Sequence, residues 1–78
     1  MKTWKVGLVG TGFWSEKHLK AWQRIPDVEI AALCNRSKEK LLAKAEAFGV
    51  PQNRLFLSID EMLREEDLDI VDIVTGPE

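Results

Sequence analysis

Cysteine is almost missing from this chain of 78 residues, and Cys34 is the only one. A single thiol excludes a disulfide framework and any metal site built on cysteine spacing, and it fits a reducing, cytoplasmic setting. Positive charge is not in excess either, with 11 lysines and arginines against 13 acids. No basic stripe or arginine-rich block marks a nucleic-acid binder, and no acidic tail marks a solvated arm. Long apolar runs are absent as well. The first one, Val6 to Val9, is interrupted by Gly7 and is far too short for a signal peptide or a membrane span. No internal repeat or low-complexity tract is present.

Size is the next constraint. A domain of this length buries only about 60% of its unfolded surface and is marginal alone. A cofactor site and a substrate pocket together would be hard to fit into it. The chain closes on Thr75-Gly76-Pro77-Glu78, directly after a strong strand signal. Residues 1–78 are therefore expected to be one part of a larger domain.

What is present is a regular alternation of strand and helix signals. Lys5 to Val9 is predicted to be a buried strand, because a short apolar run bounded by glycine suits a strand covered on both faces. Phe13 to Ile25 is predicted to be a helix with Ser15, His18, Leu19, Trp22 and Ile25 on one stripe, stopped by Pro26. Val28 to Cys34 forms a second strand. Ser37 is set to cap a helix carrying Leu41, Leu42, Ala45 and Phe48, closed by Gly49. Leu55 to Leu57 is a third strand. Ser58 and Glu61 open a short helix with Ile59, Met62 and Leu63 on one face, and Ile70 to Val74 is a fourth strand. This β-α-β-α-β-α-β order with short loops predicts an α/β fold with a parallel sheet. Right-handed crossovers give the strand order 3-2-1-4, one half of a Rossmann-like arrangement.

The pattern Gly10-x-Gly12-x-x-Ser15 falls between the first strand and the first helix, where a dinucleotide fingerprint has to stand. Gly10 permits the tight turn, and Gly12, lacking a Cβ, lets a pyrophosphate approach the backbone. Thr11 lies between them. The free N–H groups of Phe13 and Trp14 then face the anion at a helix N-terminus. Ser15 replaces the third glycine at a close-packing position, its hydroxyl expected to bond within the helix. Trp14 can also shield the site or pack at the helix start. A glycine turn that binds nothing is the plainer alternative.

The end of the second strand reads the adenine ribose in such folds: an acid suits the two hydroxyls of NAD, and an arginine suits the 2′-phosphate of NADP. Here the residues are Cys34-Asn35-Arg36-Ser37. Asn35 removes the carboxylate that would repel the extra phosphate. Arg36 offers a forked, charge-assisted contact and a plane to lay on adenine. Ser37 adds a hydroxyl and a helix N-terminus, and Lys38 and Lys40 add positive charge. NADP is favoured over NAD on these residues. An ordinary solvated loop is the competing reading.

Three blocks, "KVGLVGTGFWSEKHLKA", "PDVEIAALCNRS" and "LSIDEMLREEDLDIVDIVT", together resemble the N-terminal part of the glucose–fructose oxidoreductase/inositol dehydrogenase (Gfo/Idh/MocA) family over nearly the whole chain. The resemblance implies a nicotinamide-dependent oxidoreductase acting on a sugar, a cyclitol or a related carbonyl compound. It also implies a second domain, on an open antiparallel sheet, that holds the substrate. Thr75 would border the cofactor, although Gly76 separates it from Pro77 where such chains carry Thr-Pro. The family's Glu-Lys-Pro segment, whose lysine assists proton transfer, does not occur in these residues. No catalytic or metal-binding residue is therefore assigned, and the 78 residues alone are expected to be inactive.

Other conspicuous residues have plainer roles. His18 is expected to be packed against the sheet and Cys34 to be a small core residue. The acids Asp60, Glu61, Glu65, Glu66, Asp67 and Asp69 fit helix capping and a solvated loop. Asp72, inside the fourth strand, has no evident partner, and burying it alone would be costly. A non-catalytic nucleotide sensor and a methyltransferase also use glycine corners; Arg36 and Ser37 argue against the latter, whose cofactor has no phosphate. One sheet face is covered by the third helix almost alone, so self-association is expected through that face or the fourth strand.

Overall fold

In a computed structural model, residues 2–10 and 13–74 are described, Phe13 by its backbone alone. The elements in order are β1 (Trp4–Val9), α1 (Phe13–Gln23), β2 (Val28–Cys34), α2 (Lys38–Phe48), a 3₁₀ turn (Gln52–Arg54), β3 (Leu55–Phe56), α3 (Ile59–Glu65) and β4 (Ile70–Ile73). The four strands are parallel and lie in the order β3-β2-β1-β4. Strand order and element order are those expected from the crossover rule.

Local chemistry sets most boundaries. The Ser37 hydroxyl accepts from the Lys40 N–H at the start of α2, and the Ser58 hydroxyl accepts from the Glu61 N–H at the start of α3. Gly49, at φ 71°, closes α2 in the left-handed region with its N–H donated to the Ala45 carbonyl. Helix α1 stops at Gln23, two residues before the expected end. Ile25 is therefore exposed rather than part of the inward stripe. Beyond it Asp27 takes φ 64°, a conformation that aspartate tolerates better than most side chains, and its carbonyl accepts from Trp4 N–H at 2.7 Å. That bond draws β1 one residue longer than its apolar run.

The two sheet faces have separate cores. Leu8, Leu19, Leu33, Leu41, Ala45 and Val50 join α1 and α2 to one face, and Ala32, Cys34, Phe56 and Met62 join α3 to the other. Within β2, Ile30 and Leu33 pack on the same side although three residues apart. The register explains it: Val6 pairs with Ile30 but Gly7 with Ala32, so Ala31 is an extra residue that flips the alternation. Gly7 belongs to the α3 face, where a Cβ would strike Leu68 and press on Met62. Several apolar residues are more exposed than expected, Leu57, Ile59 and Val71 among them. Leu42 and Leu63 lie on outer helix surfaces, and Ile73 of β4 remains 54% exposed because α3 does not reach across that strand.

Candidate functional site

The C-terminal ends of β1, β2 and β4 meet at one edge of the sheet, where ligands gather in open α/β folds. Gly10 leaves β1 with its N–H donated to the Cys34 carbonyl at 2.7 Å, while Asn35 N–H donates to the Phe56 carbonyl at 3.1 Å. On the other side Val74 N–H donates to the Val9 carbonyl at 2.9 Å. Gly10 has φ 104°, and a Cβ built on it would stand 2.6 Å from the Val74 carbonyl oxygen. Only glycine fits there, because both its backbone angle and the space demand it. Helix α1 begins three residues later, at Phe13, and the first N–H groups of a helix have no partner within it.

The other expected site residues distribute as follows. Thr11, Gly12 and Thr75 lie outside the described residues. The backbone of Phe13 begins α1. Trp14 is exposed in the first turn, with Lys17 Nζ 4.7 Å from its ring centroid, a cation–π contact. Asn35 is half-buried, Arg36 is exposed, and Ser37 is half-buried at the α2 N-cap. Gly10 and Asn35 thus stand at neighbouring strand ends, with Arg36 and Ser37 following on the β2 side. Ser15 is fully buried under α1, and no buried side-chain polar atom among the described residues lacks a partner.

Several residues differ from their expected roles. His18 is not packed away: its side chain is 44% exposed and its Nδ1 lies 2.8 Å from Asp72 Oδ2. The carboxylate accepts, so Nδ1 donates. Trp22 Nε1 donates to the same oxygen at 2.9 Å. Asp72 therefore has two partners that the sequence reading missed. The signal was available, since a buried-strand acid lay under a helix stripe carrying two ring N–H donors one turn apart. Cys34 is buried as expected, and burial, with Glu61 nearby, pushes its thiol up. Two of the acids near α3 are paired, Glu66 with Arg54 at 2.6 Å and Asp69 with Lys2 at 3.1 Å. Asp69 also accepts the Lys5 N–H.

Comparison with known proteins agrees with this geometry. A family model described as an oxidoreductase family with an NAD-binding Rossmann fold matches residues 4–78. A D-apiose dehydrogenase of Paraburkholderia graminis is 45% identical over 75 residues, covering 96% of this chain and 20% of that protein. Among solved structures, an oxidoreductase from Agrobacterium radiobacter in complex with NAD+, L-tartaric acid and magnesium superimposes with TM-score 0.87 at 28% identity, over 96% of this chain and 21% of that one. A scyllo-inositol dehydrogenase from Lactobacillus casei with bound NAD(H) and scyllo-inositol gives 0.85 at 28% identity, over 96% and 22%. The chain spans about a fifth of the length of these relatives.

Proposed function

Since the chain belongs to the Gfo/Idh/MocA oxidoreductase family, with its NAD-binding Rossmann fold, we propose that residues 1–78 are the N-terminal part of the dinucleotide-binding domain of an NAD(P)-dependent oxidoreductase. Its substrate is a sugar, a cyclitol or a related carbonyl compound. The observation that carries the reading is the glycine corner: Gly10, at φ 104° and pressed against the Val74 carbonyl, stands at the end of β1, three residues before α1 begins. A side chain at Gly10 would collide with the end of β4, and the turn that Gly10 opens carries the Gly-x-Gly spacing at which a cofactor can lie against backbone.

In this reading Gly10, Thr11 and Gly12 form the turn, and the N–H groups of Phe13 and Trp14 hold the pyrophosphate with the help of the helix dipole. Trp14 screens the turn from water. Asn35, Arg36 and Ser37 receive the adenine ribose, and Thr75 borders the cofactor from the β4 side. When bound, the nicotinamide supplies hydride transfer; the protein supplies orientation and electrostatics. The acid–base group and the substrate pocket lie outside these residues, so the 78 residues alone bind without turnover.

For cofactor choice we favour NADP, because Asn35 carries no charge and exposed Arg36 is free to swing toward a 2′-phosphate. The solved neighbours described above carry NAD+ or NAD(H), so the preference has to be measured. A cytoplasmic setting suits the unpaired Cys34. Equilibrium titration of the intact protein with NADPH, NADH and S-adenosylmethionine tests the whole reading. Dinucleotide binding with NADPH ahead is the expected result. Binding of S-adenosylmethionine alone would overturn it, and tight dinucleotide binding without turnover on any polyol or sugar would point to a nucleotide sensor.

A further inference from the structure

Asp72 holds α1 and β4 together through a single oxygen. Its Oδ2 accepts from His18 Nδ1 at 2.8 Å and from Trp22 Nε1 at 2.9 Å, donors one turn apart on α1. In the sheet Asp72 pairs with Leu8, on the face that α1 covers. Two residues further on, Val74 bonds to Val9 and presses its carbonyl on Gly10. The carboxylate therefore connects the helix that leaves the glycine corner with the strand that crowds it.

Apolar packing of Leu19 against Leu8 and Leu33 holds α1 down on the sheet but is non-directional. Ser15 and Leu19, both fully buried, set which stripe of the helix faces inward. Two hydrogen bonds from positions i and i+4 to one acceptor are directional and fix the roll of the helix within that limit. The roll of α1 in turn decides where the N–H groups of its first turn point. We propose that Asp72 and His18 are positioning residues for dinucleotide binding: their bond sets the rotation of α1 at which its first N–H groups face the cofactor phosphate. This rests on the dinucleotide reading given above. His18 is half-exposed and contributes little core, so its retention of a ring N–H toward Asp72 is a matter of direction more than of burial.

A double-mutant cycle in the intact protein tests it, with dinucleotide affinity measured where circular dichroism shows every variant folded. His18→Ala and Asp72→Asn should each weaken binding by about five- to tenfold, and the double variant by no more than the weaker single one, since they remove one interaction. His18→Gln, whose amide N–H can still donate to Asp72, should recover most of the affinity. The Trp22 indole N–H resonance should shift in Asp72→Asn and hold its place in His18→Gln. Unchanged affinity in His18→Ala, or additive losses in the double variant, would overturn the positioning role and leave the cofactor site standing. Failure of the unsubstituted protein to bind any dinucleotide would instead overturn the cofactor reading, and the positioning role with it.

Discussion

Gly10 and Val74 approach so closely that a methyl group on the first would meet the carbonyl oxygen of the second at 2.6 Å, at a backbone φ of 104°. Gly49 has a similar sign of φ, at 71°, yet nothing lies within 4 Å of the space its Cβ would occupy. The two alanine variants separate conformational strain from collision. Gly49→Ala should lower stability by about 1 kcal/mol, the cost of a left-handed alanine at a helix end. Gly10→Ala should cost roughly 2–4 kcal/mol, because backbone on both sides has to move. Urea midpoints at constant slope measure both; equal losses would mean that the Val74 contact relaxes freely.

Much of this fold was legible because its rules are local. Ser37 and Ser58 cap through their hydroxyls and Gly49 through its left-handed backbone, and handed crossovers then leave one strand order for four parallel strands. Other features come from contacts far apart in sequence. The extra residue at Ala31 depends on how β2 meets β1, so no alternation in β2 alone announces that Ile30 and Leu33 share a face. His18 and Asp72 are 54 positions apart. Each alone reads as an oddity, and together they complete each other. Of the proposed site, the sequence marks Gly10 and Asn35-Arg36-Ser37, which follow neighbouring strands, but the Val74 carbonyl that makes Gly10 obligatory leaves no mark in the residue type.

The proposed preference for NADP rests on Arg36. In the intact protein Arg36→Ala should lower NADPH affinity about ten- to a hundredfold, the loss of a charge-assisted fork worth roughly 1.5–3 kcal/mol, with NADH affinity nearly unchanged. Isothermal titration with both cofactors decides it. Equal affinity for the two in the unsubstituted protein would remove the preference altogether.

Asp69 links stability to acid pH. Its carboxylate accepts the Lys5 backbone N–H at 2.9 Å and lies 3.1 Å from Lys2 Nζ, and these contacts, the backbone bond first, hold its carboxyl below the usual aspartate range. A group whose folded value is depressed adds stability above its unfolded value, about pH 4, and loses it as pH falls through the folded value. Stability should therefore decline below pH 4, and Asp69→Asn should flatten that part of the profile while leaving its shape near pH 7 alone. Chemical denaturation at a series of pH values provides the measurement.

Cys34 should behave as a fold-dependent reporter. Burial first, and then the nearby Glu61 charge, push its thiol up, so little thiolate forms at pH 8 and access is closed. Alkylation should be slow in the native protein and rapid in urea, following global unfolding. Rapid labelling without denaturant would mean that β2 opens on its own.

Self-association of the 78-residue chain is the outcome expected from the uneven covering of the sheet. Val71 and Ile73 of β4 share the α3 face with Gly7 and Val9, yet both are exposed, and Ile59 and Leu63 of α3 are exposed as well. Among the described residues β4 also pairs on one side only, with β1. An apolar strand with an open edge is a template for a second copy. Sedimentation over a concentration series should therefore show a dimer or larger species. Ile73→Lys, a surface change that leaves both cores intact, should shift the chain to monomer without lowering its urea midpoint at low concentration. A chain that stays monomeric at high concentration would show that β4 and its neighbours tolerate water as they stand. An assembly indifferent to Ile73→Lys would place the contact on another face.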